Sequence, residues 1–120
     1  MIKDLSKKIG ISLSPDLLKK NFRFDPMNPK AGHCYVASEA LFFLAGKEAG
    51  YFPVRSKDDQ GVVHWWLENK YGEILDPTAD QYFSVGRIPP YKTGRRGGFL
   101  TKKPSKRARI LIRRVSGCLF

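Results

Sequence analysis

The chain has 120 residues, 42% of them hydrophobic and 12% aromatic, which predicts a single folded domain over 1–120 and excludes a disordered chain. Its net charge is +11, and the excess sits in the last third: residues 1–80 hold eleven Lys or Arg and eleven Asp or Glu, whereas 81–120 hold eleven Lys or Arg and no acid. Such asymmetry predicts an anionic partner or a solvated basic face. No apolar run is long enough to span a bilayer, and the opening "MIKDLSKKIGISLS" lacks the apolar stretch and cleavage site of a secretory signal, so no membrane contact is expected. Two cysteines, Cys34 and Cys118, in such a chain predict a reducing, cytoplasmic setting.

In chain order, "LSPDLLKKNF" predicts a short helix, with Ser14 as N-cap, Pro15 in the first turn and Asp16 complementing the dipole. "RFDPMNPKAG" is a loop. "CYVASEALFFLAG" is a helix apolar on nearly all sides and therefore buried, with Val36, Ala37, Ala40, Leu41 and Leu44 on one stripe and Gly46 at its end. "GYFPVRS" predicts a strand, with Pro53 suggesting an edge or a strand start. "GVVHWWLEN" predicts a second strand, "KYG" a turn with Gly72 left-handed, and "EILDPT" a returning strand ended by Pro77. Residues 80–99 contain four glycines and two prolines and are expected to be mostly loop. "PSKRARILIRRV" predicts a final helix capped by Ser105, with Ala108, Leu111, Ile112 and Val115 on its buried face. The fold class is then α+β: a core helix opened by Cys34, packed on a small antiparallel sheet (core 11–83), plus a basic loop and C-terminal helix (84–120).

A thiol at a helix N-terminus meets partial positive charge and free amide donors, both of which stabilise a thiolate. A nucleophile of this kind needs a base and a group to orient the base. His33 is adjacent to Cys34 and badly placed to pair with it, whereas His64 lies inside a strand with no evident packing role. A turn centred on Lys70, Tyr71 and Gly72 pairs Asn69 with Glu73. That register sets positions 64 and 76 diagonally on one face, and a slightly tighter turn would put them directly opposite; either register lets Asp76 accept a hydrogen bond from His64. Cys34, His64 and Asp76 are therefore the candidate catalytic residues. Cys34, His64, Asp76 and His33 are also metal-ligand types, but they lack zinc-like pairs at short spacing apart from the adjacent His33–Cys34, so no metal or other cofactor is assigned.

The order Cys–His–Asp, in "CYVASEALFFLAGKEAGYFPVR", "HWWLE" and "ILDPTADQY", resembles the transglutaminase-like branch of the papain-like cysteine enzymes over residues 32–82. The resemblance implies Cys34 as nucleophile, His64 as general base and acid, and Asp76 as orienter. It also implies a protein or peptide amide substrate carried through a thioester, in hydrolysis, deamidation or acyl transfer. The Cys34 amide would be one oxyanion donor, and Trp65 and Trp66 are candidates for substrate-channel walls. The tail "GFLTKKPSKRARILIRRV" departs from that family. Together with "GHCYVASEAL" it resembles small proteins of phage and bacterial genomes, which implies a bacterial or phage-infected host cell.

The second expectation concerns the basic segment. Arg95, Arg96, Lys102, Lys103, Lys106, Arg107, Arg109, Arg113 and Arg114 form a candidate patch for nucleic acid or an acidic protein. Gly94, Gly97 and Gly98 would let backbone approach a phosphate. The alternative to the enzyme is thus a small non-catalytic binding protein that acts through its C-terminal helix.

Overall fold

The computed structural model describes residues 2–20, 22–99 and 102–116. Cys118 lies outside them. The β-branched and aromatic stretches form the expected hairpin: β1 (Tyr51–Lys57) and β2 (Val63–Asn69) pair antiparallel from Tyr51↔Asn69 to Lys57↔Val63. At the far end of β2 the chain reverses over residues 70–72. The Asn69 carboxamide oxygen accepts from the Tyr71 and Glu73 amides, the Asn69 amide donates to the Glu73 carbonyl at 3.1 Å, and Gly72 takes φ 78°. Asn69 therefore stands opposite Glu73, and the returning strand β3 (Ile74–Leu75) pairs Leu75 with Leu67.

That strand is only two residues long. Asp76 leaves the ladder to bond its own chain, and Pro77 has no amide to continue it. On the other side of the hairpin, β4 (Arg95–Arg96) pairs with Arg55 and Val54, giving the antiparallel order β3-β2-β1-β4. Pro53 therefore sits in an interior strand, beside a neighbour too short to need its missing amide. The Pro53 carbonyl accepts from the Gly97 amide at 3.1 Å.

Four α-helices among the described residues complete an α+β fold. Helix α1 (Ile2–Ile11) was not expected from the sequence. Gly10 brings it so close to the Asp76 loop that a Cβ there would lie 2.6 Å from the Pro77 carbonyl oxygen. The expected helix after Ser14 is a single 3-10 turn at Pro15–Leu17, and Ser14 does not cap it. Its hydroxyl instead donates to the Asp16 carboxylate and accepts from Arg114 Nη1 at 2.7 Å. Helix α2 (Cys34–Leu41) continues through a π turn at Phe42–Gly46. Helix α3 (Asp80–Phe83) lies in the stretch expected to be loop, and α4 (Lys106–Ser116) is the basic C-terminal helix. None of these helices is long and apolar enough to cross a membrane.

The core joins α1, α2, α4 and the inner face of the sheet. Ile9, Val36, Ala37, Leu41, Leu67 and Leu75 meet Ala108, Leu111, Ile112 and Val115, the stripe expected of the last helix. Helix α4 is tied in by a carboxylate as well. Glu39 is fully buried and accepts from the Ser105 amide at 2.8 Å and the Ser105 hydroxyl at 2.7 Å, while Ser105 Oγ also accepts from the Ala108 amide. Anionic oxygens thus sit at the positive end of α4. Gly94 proves to be a packing residue: a Cβ would lie 2.5 Å from Trp66 and 2.7 Å from Val54. Replacing Ser105 by Ala removes the cap and one of the two donors to Glu39, so Ser105→Ala is expected to cost about 1–3 kcal/mol in urea unfolding with the denaturant slope unchanged.

Candidate active site

Because β3 ends at Leu75, part of one edge of β2 has no strand beside it. Alternate residues of β2 turn their backbone groups toward that edge, as the Asn69–Glu73 bond shows further along. Helix α2 occupies the gap. The Cys34 thiol donates to the Val63 carbonyl at 3.8 Å, and one turn later the Ser38 hydroxyl donates to the Trp65 carbonyl at 3.2 Å. The i, i+4 spacing of the helix thus matches two successive outward carbonyls of the strand. Cys34 becomes the first residue of α2 and is 9% exposed.

His64, the intervening residue, is fully buried. Its Nε2 donates to Asp76 Oδ2 at 2.6 Å, the diagonal contact that the hairpin register predicts. The Asp76 carboxylate is held by three further bonds: Tyr91 OH donates to Oδ2 at 2.7 Å, and the Thr78 amide and hydroxyl donate to Oδ1 at 3.1 and 3.3 Å. Stacking on Trp66 and an edge contact with Tyr82 fix the plane of the imidazole. Burial alone would lower the His64 pKa. Hydrogen bonds to Asp76 and then Cys34, with the charges behind them, outweigh burial and raise it to about 9. Burial, and then the charge and hydrogen bond of Asp76, push the Tyr91 phenol above its usual range, which keeps it a donor.

The other ring nitrogen faces a residue that the sequence reading missed. Gln81 Nε2 donates to His64 Nδ1 at 2.7 Å, and the Gln81 carbonyl accepts from Asn28 Nδ2 at 2.9 Å. When Nδ1 carries a proton, the carboxamide must turn over to present its oxygen. Gln81 is 8% exposed and lies with Cys34, Asn28, Tyr35, Trp65 and Tyr82 on the wall of a cleft of about 430 Å³. The far wall is braced by Asp58, which accepts from Tyr82 OH at 2.8 Å, pairs with Arg87 at 3.2 Å and takes the Gln60 and Val62 amides. No periodicity marks Gln81, Tyr91 or Asp58 as partners of the site. The only local signal is that Gln81 follows the Asp76 turn by five residues.

Other expected site residues separate. Trp65 lines the cleft, where it stacks on Phe99 and meets the edge of Tyr35. Trp66 does not line it. As the next residue of a strand it points to the opposite face, is fully buried, and donates to Glu68 Oε1. His33 is engaged elsewhere: its Nε2 donates to the Ser14 carbonyl at 2.9 Å. Five of the nine basic candidates fall into three recesses. Arg95 lines a recess with Arg55 and Lys57; Arg96 and Lys102 line another with Phe42, Phe43 and Phe99; Lys106 and Arg107 flank Glu39. Lys103, Arg109 and Arg113 are exposed. Arg114 is committed to the chain, ion-paired with Asp16 at 2.5 Å.

Comparison of the chain with protein-family models, with curated proteins and with solved structures finds no match. The arrangement itself defines a class of site: a thiol at a helix N-terminus beside a buried imidazole that is held by a carboxylate.

The raised His64 pKa has a consequence for stability. The folded value, about 9, lies above the unfolded value of about 6.5, so the contribution is complete below pH 6.5 and is lost as pH rises through 9. Asp76→Asn removes the charge behind most of it. The stability gap between wild type and Asp76→Asn is expected to be widest near pH 6 and to narrow by pH 9.5, read by chemical denaturation at both pH values.

Proposed function

We propose that this protein is a thiol-dependent hydrolase or acyltransferase acting on an amide or ester through a thioester on Cys34, with a transglutaminase-like, papain-like core. The observation that carries the proposal is the 2.6 Å His64–Asp76 bond, made by a buried imidazole that also interacts with Cys34 and whose Nδ1 is capped by the Gln81 carboxamide. Cys34 on a helix start, with His64 and Asp76 on and just after adjacent strands, also supports the family resemblance.

In this reading the Gln81 carboxamide swings off Nδ1, which takes the Cys34 proton, and the thiolate and imidazolium stabilise each other. The thiolate attacks the carbonyl carbon to form a C–S bond, and negative charge develops on the carbonyl oxygen. The Cys34 main-chain amide, in a first turn whose donors have no intrahelical acceptor, meets that charge. As the C–N or C–O bond breaks, Nδ1–H protonates the leaving amine or alcohol, which leaves a thioester. Water or an acceptor amine then gives its proton to Nδ1 while attacking the thioester carbonyl. Cleavage of the C–S bond releases an acid or a new amide and restores the thiolate. Asp76 keeps the ring in one tautomer throughout, and Tyr91 and Thr78 keep Asp76 in place.

The test is alkylation of Cys34 by iodoacetamide across pH 4–9, followed by intact mass, with Cys118→Ser throughout. Labelling is expected to persist at pH 5–6, where an ordinary thiol of pKa about 8.5 is almost wholly protonated. His64→Ala should slow it there by on the order of a hundredfold, the low end of the usual base contribution. An ordinary thiol curve that His64→Ala leaves unchanged would sink the proposal.

A further inference from the structure

The cleft over Cys34 does not end at Trp65. Val63, whose carbonyl accepts from the thiol, is also a wall of a second recess of about 530 Å³ lined by Arg55, Ser56, Lys57, Thr93 and Arg95. The strand register explains the continuity. Lys57 stands opposite Val63, Arg55 opposite Trp65, and Arg95 opposite Arg55. Directly opposite residues share a face of the sheet. The cations therefore stand on the face that carries the cleft walls Val63 and Trp65, with Arg55 and then Arg95 at successively greater distance from Trp65.

The recess is built to hold these cations in place. The Arg55 guanidinium lies over the Trp65 ring at 5.6 Å, and the absence of a side chain on Gly97 leaves room for it, since a Cβ there would sit 3.3 Å from Arg55 Nε. Thr93 is fixed by a 2.5 Å hydroxyl bond to Ser56. The recess contains no acid, and among the described residues Arg55, Lys57 and Arg95 make no ion pair. Three cations sharing one concave surface with no counter-charge repel one another, and an anionic oxygen group between them relieves that repulsion.

We infer that this recess is a specificity subsite for an anionic oxygen group, carboxylate or phosphate, carried by the substrate about 10 Å from the carbonyl that Cys34 attacks. The inference rests on the assignment of Cys34 as nucleophile. Arginine forks can bind either anion, and the subsite concentrates three cations where the cleft lining, with Asp58 paired to Arg87, keeps Lys19 alone.

The test uses three thiol-reactive probes of one length, chloroacetyl-Gly-Glu-amide, chloroacetyl-Gly-phosphoserine-amide and chloroacetyl-Gly-Gln-amide, with Cys118→Ser throughout. The subsite predicts that an anionic probe labels Cys34 faster than the Gln probe by on the order of tenfold at low salt, with the preference fading as salt rises. The better anionic arm names the group. The preference, taken as a ratio within each variant, should collapse in Lys57→Ala and Arg95→Ala and persist in Lys7→Ala, which removes equal charge from the exposed face of α1. Equal rates for all three probes, or an equal loss of preference in Lys7→Ala, would overturn the subsite. A Gln-probe rate that depends on His64 while the probes do not differ removes the subsite alone. A Gln-probe rate indifferent to His64→Ala removes the nucleophile assignment and the subsite together.

Discussion

Two carbonyls on the free edge of β2, those of Val63 and Trp65, have to find donors once β3 stops at Leu75. The chain supplies them from a helix, with a thiol and a hydroxyl four residues apart. This is an uncommon way to satisfy a sheet edge, and much else follows from it. It fixes α2 along the strand, sets the thiol beside the imidazole of the residue between the two carbonyls, and leaves the β1 and β4 side of the sheet open. A longer β3 would have paired the edge with backbone and kept the helix away. The two-residue length of β3 is therefore a condition of the site, and it is set by Asp76 and Pro77.

Asp76 joins the edge to the rest of the fold. Its two oxygens collect a ring nitrogen, a phenol, a backbone amide and a hydroxyl from three different residues, and Gly10 of α1 presses on the next carbonyl in the chain. The oxygens of this buried carboxylate are thus met by protein donors in place of water. The same residues that stop the strand thus hold the His64 imidazole, so the local geometry of one turn serves both the sheet edge and the site.

The parts legible in the sequence were those set by local rules. The Asn69–Glu73 register follows from a turn with a glycine at its left-handed position, and the buried stripe of α4 follows from helical spacing. Both led to the correct faces, and the diagonal between His64 and Asp76 came with the register. What was not legible depends on distant partners. Ser14 reads as a cap, but its hydroxyl is claimed by Asp16 and Arg114. Gly94 reads as a flexible approach to phosphate, but it is small because Trp66 lies against it. Gln81 and Tyr91 sit in a stretch without periodicity and reach the site only because α3 and the following turn fold back over it. Pro53 reads as an edge residue, yet it has neighbours on both sides because β4 is too short to require its amide.

The bond between Glu39 and Ser105 spans 66 residues of chain. A ribosome makes α2 long before it makes the cap of α4 that Glu39 holds. Until Ser105 emerges, the Glu39 side chain lacks the two donors that meet it in the fold, so burying α2 against the sheet costs stability. At roughly 5–20 residues per second this interval lasts several seconds. The thiol would then be assembled into its final surroundings only after the basic helix has been synthesised, which couples the final placement of Cys34 to the arrival of the segment that completes the core.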